Sequence, residues 1–134
     1  MGGDPRVGGD RHRVRAGLGR VNVRLEPGTV VWVSLDPTVG HEQAGTRPAV
    51  IVASSGYLQA VRGLAIVVPA TTTNRRWPHH VRLSGPALTL PRPTFAMTEQ
   101  PRTISRNRIV DDAGRVDAQC LDAIRRWLDD FLHS

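Results

Sequence analysis

Residues 29–53 read TVVWVSLDPTVGHEQAGTRPAVIVA, two apolar runs separated by a polar loop that contains two glycines. The first run, residues 29–35, is rich in β-branched side chains and ends at an Asp-Pro turn signal, so it predicts a strand. The second run, residues 49–53, follows Pro48 and is apolar throughout, which predicts a strand buried on both faces. These two runs favour a mainly β domain.

Short apolar runs bounded by turn residues continue along the chain. The pattern predicts a short helical piece at residues 55–60, a third strand at residues 64–68 and a polar run at residues 71–76. Further strands are predicted near residues 80–83, 94–97 and 103–106. Five or six short strands at this spacing predict a small barrel or a strongly curved antiparallel sheet.

The last segment has helical rather than strand periodicity. Asp117 is the predicted N-cap, and apolar side chains recur behind it at the spacing of one helix face. This stripe consists of Cys120, Leu121, Ile124, Trp127, Leu128, Phe131 and Leu132. An amphipathic helix packed on the sheet is therefore expected, with Cys120 and Trp127 in the core rather than in a reactive site.

Length and composition limit the classes of protein. The 134 residues are 40% hydrophobic and 22% charged, which indicates one globular domain. No apolar run approaches the roughly 20 residues of a membrane span, and no secretory signal is visible, so a cytoplasmic protein without membrane contact is expected. Residues 1–24 hold six Gly and no aromatic residue and are predicted to be a disordered tail, so residues 25–134 form the domain.

The positive charge lies in the tail and the body of the chain. All 18 basic residues are Arg and the net charge is +6, but residues 111–134 carry three Arg against six Asp. Arginine offers a planar fork of donors that matches phosphate and carboxylate groups. The charge is equally compatible with a polyanion or acidic-protein partner and with a solvated arginine-rich surface.

Three polar clusters interrupt the strands, at residues 40–48, 67–76 and 98–108. Their Arg, Thr, Gln and Glu side chains suit phosphate groups and the edges of unpaired bases. The motifs of nucleotide triphosphatases and serine hydrolases are missing, and no carboxylate or histidine set stands at metal-ligand spacing, so no metal site is predicted. His79 and His80 are neighbours at a strand start and are expected to face opposite sides.

Residues 36–54, DPTVGHEQAGTRPAVIVAS, closely resemble the loop and second strand of the MazF/PemK toxins, single-strand-specific mRNA endoribonucleases of toxin–antitoxin systems. VVPATTTNRRWPHHVRLSG at residues 67–85 and EQPRTISRNRI at residues 99–109 look like the next two blocks of that family. The resemblance spans about residues 27–132. It implies a mainly β fold with a C-terminal helix, namely a homodimeric SH3-like barrel of the CcdB/MazF type.

The resemblance also implies a reaction without cofactor or metal that leaves 2′,3′-cyclic phosphate and 5′-hydroxyl ends. The family's catalytic arginine falls on Arg47 and its catalytic threonine on Thr71. Arg47 is expected to neutralise the pentacoordinate phosphorane while Thr71 donates to a phosphoryl oxygen. The general base stays open between Arg47 and His41, because a guanidinium is a poor base whereas an imidazole titrates near neutrality.

The RNA contacts and partners complete this expectation. The family's substrate-contacting positions match Glu42 and Gln43 in the first loop and the pair Glu99 and Gln100. The residues expected to bind RNA are His41, Glu42, Gln43, Thr72, Thr73, Arg75, Arg76, Glu99, Gln100 and Arg102. The expected partners are single-stranded RNA, an acidic MazE-like antitoxin and a second copy of the chain.

Two rival functions share the same barrel. A gyrase poison of the CcdB kind would bind its target without a nuclease site, and it predicts a Trp-Gly-Ile end where this sequence reads DDFLHS. A catalytically inactive RNA-binding barrel would show salt-dependent RNA affinity without cleavage products.

Overall fold

The computed structural model describes residues 24–34 and 45–133. The predicted tail lies outside these ranges apart from Arg24 and stays a prediction. Seven strands are described: β1 (Thr29–Ser34), β2 (Thr46–Ile51), β3 (Leu64–Thr71), β4 (His80–Arg82), β5 (Phe95–Met97), β6 (Arg102–Ser105) and β7 (Ile109–Arg115). The helices are α1 (Ser55–Ala60) and α2 (Ala118–His133), and a 3₁₀ turn spans Arg106–Arg108.

The seven strands pair only in antiparallel fashion. Their order is β4-β5-β3-β2-β1-β7, and β6 pairs with β3 outside this path. The long strand β3 has two partners along the same edge: its first half pairs with β6, and its last two residues pair with β5. The mainly β fold with a C-terminal helix is therefore confirmed.

Both faces of the sheet are covered by apolar side chains, since neighbouring strand residues point to opposite sides. Val30, Val50 and Val68 pack on one face with Ile124 of α2. On the other face lie Val31, Ile51 and Val67, together with Leu58 of α1. The prediction that residues 49–53 are buried on both faces is confirmed for Val50 and Ile51, which belong to the two different clusters.

Helix α2 begins where the sequence indicates. Asp117 Oδ1 accepts a hydrogen bond of 2.8 Å from the Cys120 backbone N–H, which is the geometry of an N-cap. The expected stripe is buried at Cys120 and Ile124, but Phe131 is 47% and Leu132 67% exposed. The last turn therefore extends past the sheet. None of the helices in the described part of the chain has the length and apolar character to cross a membrane.

One strand was missed by sequence reasoning. Strand β7 reads IVDDAGR and pairs with β1 through a register that shifts twice, at Thr29/Val31 and at Trp32/Val33. Two Asp and a Gly are typical of a turn rather than a strand. Only the pairing with the apolar strand β1 makes this polar segment extended.

Candidate functional site

The site begins where the ladder between β2 and β3 ends. The pairing of these strands runs from Ile51–Val67 to Ala49–Pro69 and includes no residue beyond it. Pro48 and Pro69 have no backbone N–H to donate, so each limits the ladder at its position. Past this point β3 pairs with β5 instead. The first residues of β2 and the last residues of β3 are therefore not hydrogen-bonded to each other as a ladder.

Arg47 and Thr71 both lie at this end and on one face. Arg47 is two residues from Ala49 on β2, and Thr71 is two residues from Pro69 on β3. Because Ala49 and Pro69 are partners and the side-chain period is two, Arg47 and Thr71 share their face. The register of β1 agrees, since Arg47 is the partner of Val33 on the same face.

A pocket of about 360 Å³ opens beside Arg47 on this face. Three guanidiniums stand around it, those of Arg47, Arg102 and Arg108. The apolar part of the lining comes from Val33, Pro48, Ala49, Val67, Pro69 and Ile104. Positive charge around a small apolar floor suits a phosphate group with an attached base or sugar.

Sequence reasoning did not select Arg108 as a site residue. The side chain leaves the 3₁₀ turn before β7, and its Nη1 donates a hydrogen bond of 3.3 Å to the Ser34 carbonyl oxygen. That contact holds the guanidinium beside the end of β1. The only signal in the sequence was its place in the arginine-rich third cluster, which it shares with Arg106.

Arg106 has a different role. It donates to the Leu58, Val61 and Leu64 carbonyl oxygens, the last two at 3.1 and 2.8 Å. These bonds tie the 3₁₀ turn to the end of α1 and the start of β3. Arg106 is therefore a structural anchor outside the pocket lining.

Thr71 leads into an exposed loop that carries four more predicted RNA contacts. The Thr71 Oγ accepts a hydrogen bond of 3.1 Å from the Thr73 N–H, which leaves the hydroxyl proton for another acceptor. The Arg75 guanidinium lies 5.3 Å from the Trp77 ring centre, a cation–π contact. The four predicted contacts in this loop follow Thr71 directly in the chain and are all exposed: Thr72, Thr73, Arg75 and Arg76.

Glu99 and Gln100 follow β5 and are held by neighbouring polar groups. His80 Nε2 lies 3.1 Å and His79 Nε2 lies 3.4 Å from Glu99 Oε1. Gln100 Nε2 donates to Glu99 Oε2 at 3.1 Å. Burial alone would raise the pKa of Glu99, but hydrogen bonds from its own backbone N–H, His80 and Gln100 outweigh it. The pKa lies below its ordinary value of 4.5, so Glu99 is a carboxylate at neutral pH.

The expectation that His79 and His80 face opposite sides is wrong. Their ring centres are 5.0 Å apart, and both rings approach one carboxylate. Strand β4 begins at His80, and His79 lies in the turn before it. The alternation of side chains along a strand therefore does not apply to this pair. The structure thus assembles a His-His-Glu group that the sequence does not show, since His80 and Glu99 are 19 positions apart. His41, Glu42 and Gln43 lie outside the described residues and stay predictions.

The structure defines a class of protein: a small antiparallel β domain with a C-terminal helix and an arginine-lined pocket at one end of its sheet. The family model of PemK-like, MazF-like toxins of type II toxin–antitoxin systems matches residues 26–132. This chain belongs to that family.

Individual relatives show the same likeness. The endoribonuclease toxin MazF of Escherichia coli strain K12 is 36% identical over 99 residues, which cover 73% of this chain and 85% of that protein. Endoribonuclease MazF9 of Mycobacterium tuberculosis is 34% identical over 114 residues, 78% of this chain and 97% of the relative. A MazE-MazF crystal structure from Deinococcus radiodurans superposes with a TM-score of 0.69 at 26% identity, covering 83% of this chain and 97% of that one.

Proposed function

We propose that this protein, an endoribonuclease toxin of the MazF/PemK family, cleaves single-stranded RNA at specific sequences without a metal ion. The products are a 2′,3′-cyclic phosphate and a 5′-hydroxyl end. The observation that carries the proposal is the common face and strand end of Arg47 and Thr71, together with the pocket that Arg47 lines with two further arginines. Family membership supports the same reaction.

The reaction needs three groups from the protein: a general base, a group that stabilises negative charge and a proton donor for the leaving oxygen. The ribose 2′-oxygen forms a bond to the neighbouring phosphorus and gives its proton to a base, while the bond to the 5′-oxygen breaks and that oxygen takes up a proton. Arg47 neutralises the extra charge of the phosphorane and donates the proton that the 5′-oxygen takes up. Thr71 donates a hydrogen bond from its hydroxyl group to a phosphoryl oxygen. The base is Arg47, as the family resemblance implies, or His41, because an imidazole is the better base near neutral pH.

The flanking residues provide the recognition surface. The exposed loop with Thr72, Thr73, Arg75 and Arg76 lies next to Thr71, while Arg102 reaches the pocket itself. Gln100 uses its Nε2 in the bonds to Glu99 and Met97, which leaves its oxygen to accept from a base edge. His41, Glu42, Gln43 and Glu99 complete the proposed set.

The proposed partners follow from charge and from the family. An acidic, MazE-like antitoxin would place carboxylates over the guanidiniums of Arg47, Arg102 and Arg108 and so close the pocket to RNA. The superposed Deinococcus structure is a MazE-MazF complex. We also propose that the protein works as a cytoplasmic homodimer.

The first prediction tests Arg47 and Thr71 together. Arg47→Ala and Thr71→Val are each expected to lower the cleavage rate on a long unstructured RNA about 10²–10³-fold, because each removes a donor to the transition state. The measurement is the appearance of 5′-hydroxyl ends, with EDTA present throughout. Arg126→Ala is the matched control, since α2 packs on the opposite face of the sheet.

Three outcomes would contradict the proposal. Unchanged cleavage by both variants would show that the site is wrong, and a wild-type requirement for Mg²⁺ would show that the mechanism is wrong. RNA binding without any cleavage by the wild type would indicate the inactive RNA-binding barrel instead.

A further inference from the structure

The His-His-Glu group has the spacing of a metal site. His79, His80 and Glu99 each offer one ligand atom, and the three atoms lie within 4.8 Å of one another. Glu99 Oε1 is 3.1 Å from His80 Nε2 and 3.4 Å from His79 Nε2. A tetrahedral zinc ion with bonds of about 2.0–2.2 Å separates its ligands by about 3.3 Å. The two edges that end on Glu99 are close to that value, and the edge between the two histidines is at most 4.8 Å.

The fold also holds two of the three ligands in place. The His80 side chain is only 2% exposed, and its Nε2 faces Glu99 Oε1. The Glu99 carboxylate accepts a hydrogen bond of 3.1 Å from Gln100 Nε2. Imidazole nitrogen and carboxylate oxygen are ligands that zinc takes in proteins.

The surroundings leave one side of the group open. The side chains of His79 and Glu99 are 25% and 31% exposed, so a water molecule can reach a fourth position. On the other sides the histidines are enclosed by aromatic rings: Trp77 lies 4.8 Å from His80, while Trp127 and Phe131 lie 6.0 and 5.7 Å from His79. Two imidazoles, one carboxylate and a water form a donor set that suits Zn²⁺.

We propose that His79, His80 and Glu99 bind one Zn²⁺ ion whose fourth ligand is water. The ion would fasten the loop before β4 to the segment after β5, and it would fix the Glu99 carboxylate. A metal bound to His80 Nε2 leaves the ring N–H on Nδ1, which has no hydrogen-bond partner, so the ion is held less tightly than at a site whose histidine is supported by a second hydrogen bond. The site lies apart from the Arg47 pocket lining, and the inference does not depend on RNA cleavage.

The test is a calorimetric titration of untagged full-length protein with Zn²⁺. Wild type is expected to bind one ion with micromolar affinity, accompanied by a change in tryptophan fluorescence because Trp77 and Trp127 adjoin the histidines. His79→Ala and Glu99→Gln are expected to weaken binding about tenfold or more. His133→Ala is the matched control, because His133 also stands beside a carboxylate, that of Asp129 at 3.7 Å, but has no third ligand in this group.

Thermal unfolding gives a second readout that does not require intact RNA binding. Zn²⁺ is expected to raise the Tm of wild type and of His133→Ala, since a ligand of the native state stabilises it, and to leave the Tm of Glu99→Gln unchanged. Equal binding by wild type, His79→Ala and Glu99→Gln would overturn the proposal, as would a wild type that binds no Zn²⁺ at micromolar concentrations. His80→Ala is avoided because this buried ring contributes to packing.

Discussion

At the scale of single residues, arginines of similar exposure or sequence context serve different purposes. Arg106 anchors three carbonyl oxygens, whereas Arg102, four positions earlier, lines the pocket beside Arg47. Arg75 lies over an aromatic ring. The third polar cluster therefore contains both site residues and a structural anchor. What distinguishes them is the set of atoms that each guanidinium reaches, and those atoms are distant in sequence.

Cys120 provides a prediction at the same scale. Burial raises the pKa of its thiol above the ordinary value of 9.0, and the charge of Asp117 acts in the same direction. The native state thus holds the thiol proton more tightly than the unfolded chain. This contribution to stability is present below pH 9.0 and is lost as the pH rises through the native pKa.

We expect iodoacetamide to alkylate native Cys120 slowly, with a pH midpoint above that of the chain in denaturant. The sequence has one cysteine, so no other thiol contributes to the signal. A native midpoint equal to or below the denatured one would contradict the buried environment of this side chain.

At the scale of elements, strand β7 and the segment after β4 approach each other closely at Gly114. Gly114 in β7 has φ +87°, and a Cβ there would lie 1.9 Å from the Ala87 carbonyl oxygen. The neighbouring Ala113 carbonyl accepts from the Thr89 N–H at 3.0 Å. Glycine at this position allows the segment after β4 to pack directly against β7.

Gly114→Ala is expected to lower the free energy of unfolding by about 2–4 kcal/mol, because the new methyl group is both strained and overpacked. Urea denaturation followed by circular dichroism measures this change. Gly63→Ala is the matched control, since a Cβ at Gly63 meets nothing within 4 Å, and its effect should stay within about 0.5 kcal/mol. Similar losses for the two variants would show that the contact with Ala87 is not responsible.

At the scale of the whole molecule, the sheet separates the apolar packing against α2 from the arginine-lined pocket. The face toward α2 carries the apolar cluster around Ile124, while the opposite face ends in the pocket of Arg47, Arg102 and Arg108. The residues of the C-terminal segment have a net negative charge, and the pocket is surrounded by positive charge. A polyanion is therefore expected to approach the pocket end of the sheet.

The salt dependence of binding tests this arrangement. Affinity for an uncleavable, 2′-deoxy oligonucleotide should fall linearly on a log–log plot against salt concentration. Arg102→Gln is expected to reduce the slope by roughly 0.7–1, which corresponds to one phosphate contact. Arg126→Gln on the far face should leave the slope unchanged. The same reduction in both variants would indicate a diffuse charge effect in place of the pocket.

The sequence by itself determined the features that depend on near neighbours: the apolar strands β1 to β3, the capped helix α2 and the motifs that resemble the family. Their signals are local because side-chain period, turn residues and capping act within a few positions. Only the tertiary structure decided that β7 is a strand and that His79, His80 and Glu99 meet. It also decided that Arg108 joins the pocket. These outcomes follow from strand register and long-range pairing, which no local pattern encodes.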